Sequence, residues 1–198
     1  MRNYPNCLLD PEQCVFLFID QQPQDFAAVD GVPRARILDR TAALAETAAI
    51  FHAPCLITAM GEAVSPMAMR LHDLNPDIPT LLRSGYNGWE DPKLKTALEG
   101  TGRRRLILAG IWTEAALCFL ALCASAGGYE VFVAADACGG VSRLAHDTAM
   151  ARMIQAGVRP VTWPQVILEF QRDPAYRDSY SAMETVISRH AGIWGAQK

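Results

Sequence analysis

CVFLFID, residues 14–20, is a run of six apolar side chains closed by a single carboxylate. An apolar run without alternation suits a strand covered on both faces, and such strands belong to parallel sheets. Working outward, short apolar runs return at Cys55 to Ala59, Thr80 to Arg83, Arg105 to Ala109, Glu130 to Ala135 and Val158 to Thr162. Helix signals lie between them. Arg34 to Phe51 follows Pro33 and carries Leu38, Ala42, Ala45 and Ala49 near helical spacing. Pro92 to Glu99 has Asp91 as an N-cap. Glu114 to Ala126 is capped by Thr113 and ended by Gly127-Gly128, and Arg143 to Ala156 is ended by Gly157. Met60 to Pro79 reads as loop with one helical turn, and Gln165 to His190 as helix broken near Pro174.

Strand–helix units with short connections impose right-handed crossovers and a parallel sheet. The fold expected is therefore α/β: a single-domain, doubly wound, Rossmann-like sheet of about six strands with helices on both faces, in the order 3-2-1-4-5-6. A chain of 198 residues, 51% apolar and 20% charged, suffices for one core. The domain expected spans residues 1–198, with a C-terminal helical extension over roughly 173–198.

Charge and composition exclude several classes. A net charge of −3 is mild and of the wrong sign for a nucleic-acid partner, and Arg103-Arg104-Arg105 reads as the solvated start of a strand. The longest apolar run, Ala115 to Ala124, is far short of the roughly 18 residues that cross a bilayer. Met1 to Asp10 has no apolar signal segment, so a reduced, cytoplasmic protein is expected. The six cysteines mostly sit in apolar runs and read as packing. The four histidines are scattered without a second ligand at usable spacing, so no metal is expected. Neither a G-x-G-x-x-G nor a P-loop motif occurs, so no cofactor is expected either.

In doubly wound sheets the ligand lies outside the carboxyl ends of the strands, where strand order reverses. That rule selects Asp20 after the first strand, Arg83 at the end of the third, and Gly110-Ile111-Trp112-Thr113 after the fourth. Asp20 is either a partly desolvated, paired carboxylate or a cap for the next turn. Arg83 is its natural partner or a surface arginine beside Ser84-Gly85. Backbone N–H groups of the turn after Gly110 are ready donors for an oxyanion.

These pieces resemble the isochorismatase-like cysteine hydrolases, closest to the YcaC-related branch of small bacterial proteins. The resemblance rests on Asp20, Arg83-Ser84-Gly85 before Asn87-Gly88-Trp89, and Gly110-Ile111-Trp112-Thr113-Glu114. It continues through Gly128-Tyr129-Glu130-Val131-Phe132-Val133, Asp136-Ala137-Cys138-Gly139 and Gln155-Ala156-Gly157, covering about Cys14 to Asp173. The resemblance implies a catalytic set of Asp20, Arg83 and a cysteine three residues after Thr113. That position holds Ala116. Cys118 is no substitute, because two residues turn a helical side chain by roughly 200°.

Three explanations of Ala116 stand open: an engineered Cys→Ala change made to trap a ligand, a natural binding protein that has lost hydrolysis, or a hydrolase without a thiol. The first is favoured. The resemblance implies hydrolysis of C–N bonds in a small amide, ureido or hydrazide substrate through a thioester. Asp20 would act as base and then acid, and the backbone N–H groups of Trp112 and residue 116 would hold the oxyanion. It also implies a cis peptide at Ile111–Trp112. Phe26, Met60, Tyr86, Trp89 and Trp112 are expected as the substrate-binding wall. The alternative is a naturally thiol-less chain, either a vinyl-ether hydrolase using Asp20 as acid or a non-catalytic binder. The metal-binding nicotinamidase branch uses an Asp-x-His set not found here. The all-round apolar helix Glu114 to Ala126 fits a subunit interface, so a homo-oligomer is expected, a dimer or larger up to an octamer.

Overall fold

The structure, a computed structural model, describes residues 7–61, 71–74, 76 and 78–191. Six parallel strands form one sheet: β1 (Cys14–Ile19), β2 (Cys55–Met60), β3 (Thr80–Arg83), β4 (Arg105–Ile111), β5 (Glu130–Gly139) and β6 (Arg159–Val161). Their order is β3-β2-β1-β4-β5-β6, as the alternation of elements predicts. The order reverses between β1 and β4.

Helices cover both faces. α1 (Pro23–Phe26) is a single turn after β1, and α2 (Arg34–Ile50) joins β1 to β2. α3 (Pro92–Gly100), α4 (Cys118–Ala126), α5 (Arg143–Gln155), α6 (Trp163–Gln171) and α7 (Arg177–Ala191) follow. The unbroken apolar run of β1 now has its reason. Phe16 and Phe18 pack with Leu44, Trp163, Phe170 and Met183 on the side of α2, α6 and α7. Val15, Leu17 and Ile19 pack with Leu94, Leu120, Ala121 and Met153 on the side of α3, α4 and α5. Both faces of the strand are dry. The cysteines Cys14, Cys55 and Cys138 are buried in these layers, and burial pushes each thiol up to about 12.

Several local expectations are corrected. β4 runs on to Ile111, and β5 to Gly139, four residues beyond the expected end. Their pairing jumps from Leu108↔Val133 to Gly110↔Cys138, so Ala134 to Ala137 lie opposite Ala109 alone. This bulge carries Asp136, which accepts the first amide of α6 (Trp163 N, 3.1 Å) and faces Arg40. Arg105 is not solvated: it is buried, donating to the Leu8 carbonyl at 2.7 Å. Thr113 does not cap a helix. Trp112 occupies the cap position, and Thr113 opens a wider turn, Thr113–Leu117, before α4 begins. The break near Pro174 separates α6 from α7, and a capping box of Thr162 and Gln165 starts α6. Most of the Met60 to Pro79 reading lies outside the described residues; Leu71 to Leu74 form one helical turn.

Candidate functional site

The site is assembled at the reversal of strand order. Register pairs Ile19 with Gly110 and Met60 with Arg83, so the ends of β1, β2, β3 and β4 meet. β1 passes close to β4 here, because a Cβ on Gly110 would lie 2.2 Å from the Ile19 carbonyl oxygen. Asp20, in the left-handed region at φ 50°, leaves the strand sharply and donates its amide to the Thr58 carbonyl at 3.0 Å.

The side chain of Asp20 is turned onto Arg83. Arg83 Nη1 donates to Asp20 Oδ1 at 2.7 Å, and Nη2 donates to Oδ2, making a two-pronged pair. Oδ1 also accepts the Met60 amide at 3.0 Å, and Arg83 Nη1 reaches Thr58 Oγ1 at 3.4 Å. The guanidinium is 1% exposed and the carboxylate 9%, so the two charges stabilise each other in a nearly dry setting. Both open readings from the sequence are thereby narrowed: Asp20 is paired, and Arg83 is a buried partner rather than a surface residue.

The third component is the turn after β4. The Ile111–Trp112 peptide is cis, as the resemblance implied. The Trp112 carbonyl accepts from the amides of Ala115 (3.1 Å) and Leu117 (3.3 Å), on either side of Ala116. Three contacts from outside the turn hold it. Thr113 Oγ1 is hydrogen-bonded to His146 Nδ1 at 2.9 Å, Glu114 Oε1 accepts the Val141 amide at 2.8 Å, and the Trp112 indole donates to the Asp25 carbonyl at 3.0 Å. Ala116 is buried in the same layer as Val15, Leu17 and Ile19.

Two carboxyl and imidazole groups that sequence reasoning missed stand at this centre. α1 begins with Pro23, and its single turn brings Asp25 back beside the pair. Burial raises the Asp25 carboxyl above its usual range, the Asp20 charge raises it further, and Arg83 opposes both. Asp25 Oδ2 is buried and has no hydrogen-bond partner among the described residues. His146 lies on α5, 33 residues beyond the Thr113 it holds. Burial lowers its imidazole below the usual value.

Of the expected wall, Phe26 and Trp112 come together in a small cluster with Ile37 and Ile111, with Arg34 over the Phe26 ring. Met60 contributes its amide to Asp20. Tyr86 and Trp89 are not part of this group. Tyr86 is exposed in a groove with Asn87, Phe119 and Cys123. Trp89 meets Tyr129 edge-on at 5.6 Å and crowds Gly127, at the far end of α4 from residue 116. Both follow Ser84-Gly85 after β3, and the short turn Gly88–Glu90 packs between α3 and α4. Cys118 faces a crevice formed with Glu114, Ser142, Ala145 and Ala149, between α4 and α5. Burial raises its thiol as well. Cys123 is half-buried and accepts from Asn87 Nδ2 at 3.5 Å, so it is not a core residue.

Comparison with known proteins identifies the family and the fold. The isochorismatase domain family matches residues 14–165. The Escherichia coli (strain K12) protein named "Probable hydrolase YcaC" is 31% identical over 189 residues, covering 94% of this chain and 90% of its own. A crystal structure of E. coli YcaC, described as an octameric hydrolase of unknown specificity, superposes with a TM-score of 0.89 at 30% identity, covering 97% and 95% of the two chains. YcaC from Pseudomonas aeruginosa, with hexane-2,5-diol and covalent acrylamide, gives 0.89 at 28% identity over 97% and 96%. The chain belongs to the isochorismatase-like family of hydrolases, near YcaC.

Proposed function

We propose that this site serves hydrolysis of a C–N bond in a small amide, ureido or hydrazide substrate, and that position 116 is where the family's nucleophilic thiol stands. The observation that carries the reading is the buried Asp20–Arg83 pair beside the turn that contains Ala116. With cysteine at 116, Asp20 would accept the thiol proton and the sulfur would attack the acyl carbon. The amides of Trp112 and residue 116 would hold the oxyanion. Asp20 would return the proton to the leaving nitrogen, and water activated by Asp20 would release the acid from the thioester. The structure of the P. aeruginosa relative carries covalent acrylamide, which is in keeping with a covalent mechanism in this family.

The chain itself has no thiol at this position, and the reading most consistent with an otherwise intact centre is an engineered Cys→Ala form that binds without turning over. The thiol-free alternative would use Asp20 as its acid, the same group that returns the proton to the leaving nitrogen in the thiol mechanism. We further propose a soluble, cytoplasmic homo-oligomer acting on a small molecule, with no nucleic-acid partner, as the octameric relative suggests for its assembly.

The test restores the nucleophile. Ala116→Cys should form an acyl adduct with amides or hydrazides, seen as a mass increase of the intact chain, while the unaltered chain should not. An Ala116→Cys protein with neither adduct nor turnover overturns the thiol mechanism. Turnover by the unaltered chain overturns it too.

A further inference from the structure

The centre described above holds two carboxylates and one guanidinium. Arg83 donates to both oxygens of Asp20, so Asp25 shares its field but takes no hydrogen bond from it, and burial with the Asp20 charge outweighs its effect. The second oxygen of Asp25 is the more telling feature. Oδ2 is shut off from solvent and accepts no hydrogen bond from the described residues, and a buried carboxylate oxygen left without a donor is costly. The backbone of Asp25 is held on both sides. Its amide donates to the Gln22 carbonyl at 3.1 Å, and its own carbonyl is held by the indole of Trp112, the residue that opens the turn bearing position 116.

We infer that Asp25 is a specificity-determining residue, whose unpartnered Oδ2 accepts an N–H of the substrate and turns anionic compounds away. The ligand class follows from the chemistry. A primary amide, ureido compound or hydrazide brings N–H donors and no negative charge, so it satisfies the orphaned oxygen. A carboxylate brings charge of the same sign into a centre that already has one in excess. A tertiary amide has no N–H and leaves the oxygen unsatisfied. This rests on the function proposed above and narrows its substrate. It also separates that function from vinyl-ether hydrolysis of a polycarboxylate.

The raised carboxyl of Asp25 gives a second signature. Asp20 and Arg83 are the charged groups acting on it, and they act in opposite directions. Protonation at low pH replaces an acceptor with an O–H. Affinity for an N–H donor should therefore fall as the pH drops into the range just above that of an ordinary aspartate.

The chain as it stands, with Ala116, is suited to the test because binding is not followed by acyl transfer. Calorimetry with benzohydrazide, N,N-dimethylbenzamide and benzoate should give measurable affinity for the hydrazide alone. Asp25→Asn, which keeps the shape, should weaken the hydrazide by about tenfold to a hundredfold and abolish the loss at low pH. Benzoate or the tertiary amide binding as tightly as the hydrazide overturns the inference. So does Asp25→Asn with unchanged affinity and pH dependence, or absence of hydrazide binding altogether. Adduct formation by Ala116→Cys tests the thiol mechanism separately. A restored enzyme that cleaves benzamides with and without N–H donors equally well would leave that mechanism standing and remove this one.

Discussion

At the scale of single residues, the site is a set of polar groups that hold one another in place. His146 is the clearest supporting case, since its Nδ1 reaches Thr113 Oγ1 from a different helix. Burial lowers its pKa in the folded chain below the 6.5 of a free imidazole. The unfolded chain therefore binds the proton more readily, and stability is full above about pH 6.5 and declines as the pH falls through that value. His146→Gln should flatten this decline. Urea midpoints at about pH 7 and about pH 5 measure it, and equal pH slopes in the two proteins would contradict the assignment. Asp20 and Arg83 were readable because strand ends in this architecture point at one place. Asp25 and His146 were not. One depends on a four-residue turn folding back, the other on how α5 packs against the turn after β4. Neither leaves a periodic mark in the sequence.

At the scale of elements, the turn between β4 and α4 departs most from sequence expectation. Read as an ordinary capped helix, Thr113 should have bonded within its own first turn. Instead its hydroxyl is used across elements, and the backbone widens to place both Ala115 and Leu117 on the Trp112 carbonyl. The strands were legible as apolar runs, and β1 and β3 ended where they were read, but the far ends of β4 and β5 were not legible. The bulge opposite Ala109 continues β5 past Asp136, a residue that composition alone would assign to a loop. Gly110 makes this arrangement possible. It has φ 152°, and any side chain there would strike β1. Gly110→Ala should cost at least about 3 kcal/mol, or prevent folding, because the obstacle is backbone rather than a side chain that can move aside. Denaturant titration measures this. A loss below about 1 kcal/mol would show that β1 and β4 can separate at their ends.

At the scale of the whole molecule, strand order and layering followed from the alternation of elements, while the outer surface did not. Helix α4 was expected to be covered on all sides. In the structure Leu120, Ala121 and Ala124 are buried against the sheet, but Phe119 is 38% exposed. Leu144, at the start of the neighbouring α5, is 77% exposed, and Ile154 at its other end is also open to solvent. This face is the natural place for contact between copies of the chain in the proposed homo-oligomer. Sedimentation of the unaltered protein should give a mass several times 21.6 kDa. The double variant Phe119→Glu, Leu144→Glu should sediment as a smaller species with its far-ultraviolet spectrum intact. A monomeric parent protein would refute the assembly, and an unaffected multimer would move the contact elsewhere.

The dry sheet also determines how the chain meets alkylating reagents. With their thiols pushed up to about 12 by burial, Cys14, Cys55 and Cys138 are almost wholly protonated at pH 7. Half of the native cysteines are thus chemically silent, and the exposed Cys7 is available as an internal standard. A thiol restored at position 116 would be read against a low labelling background, and its stoichiometry could be counted in the native protein without first removing the cysteines of the core.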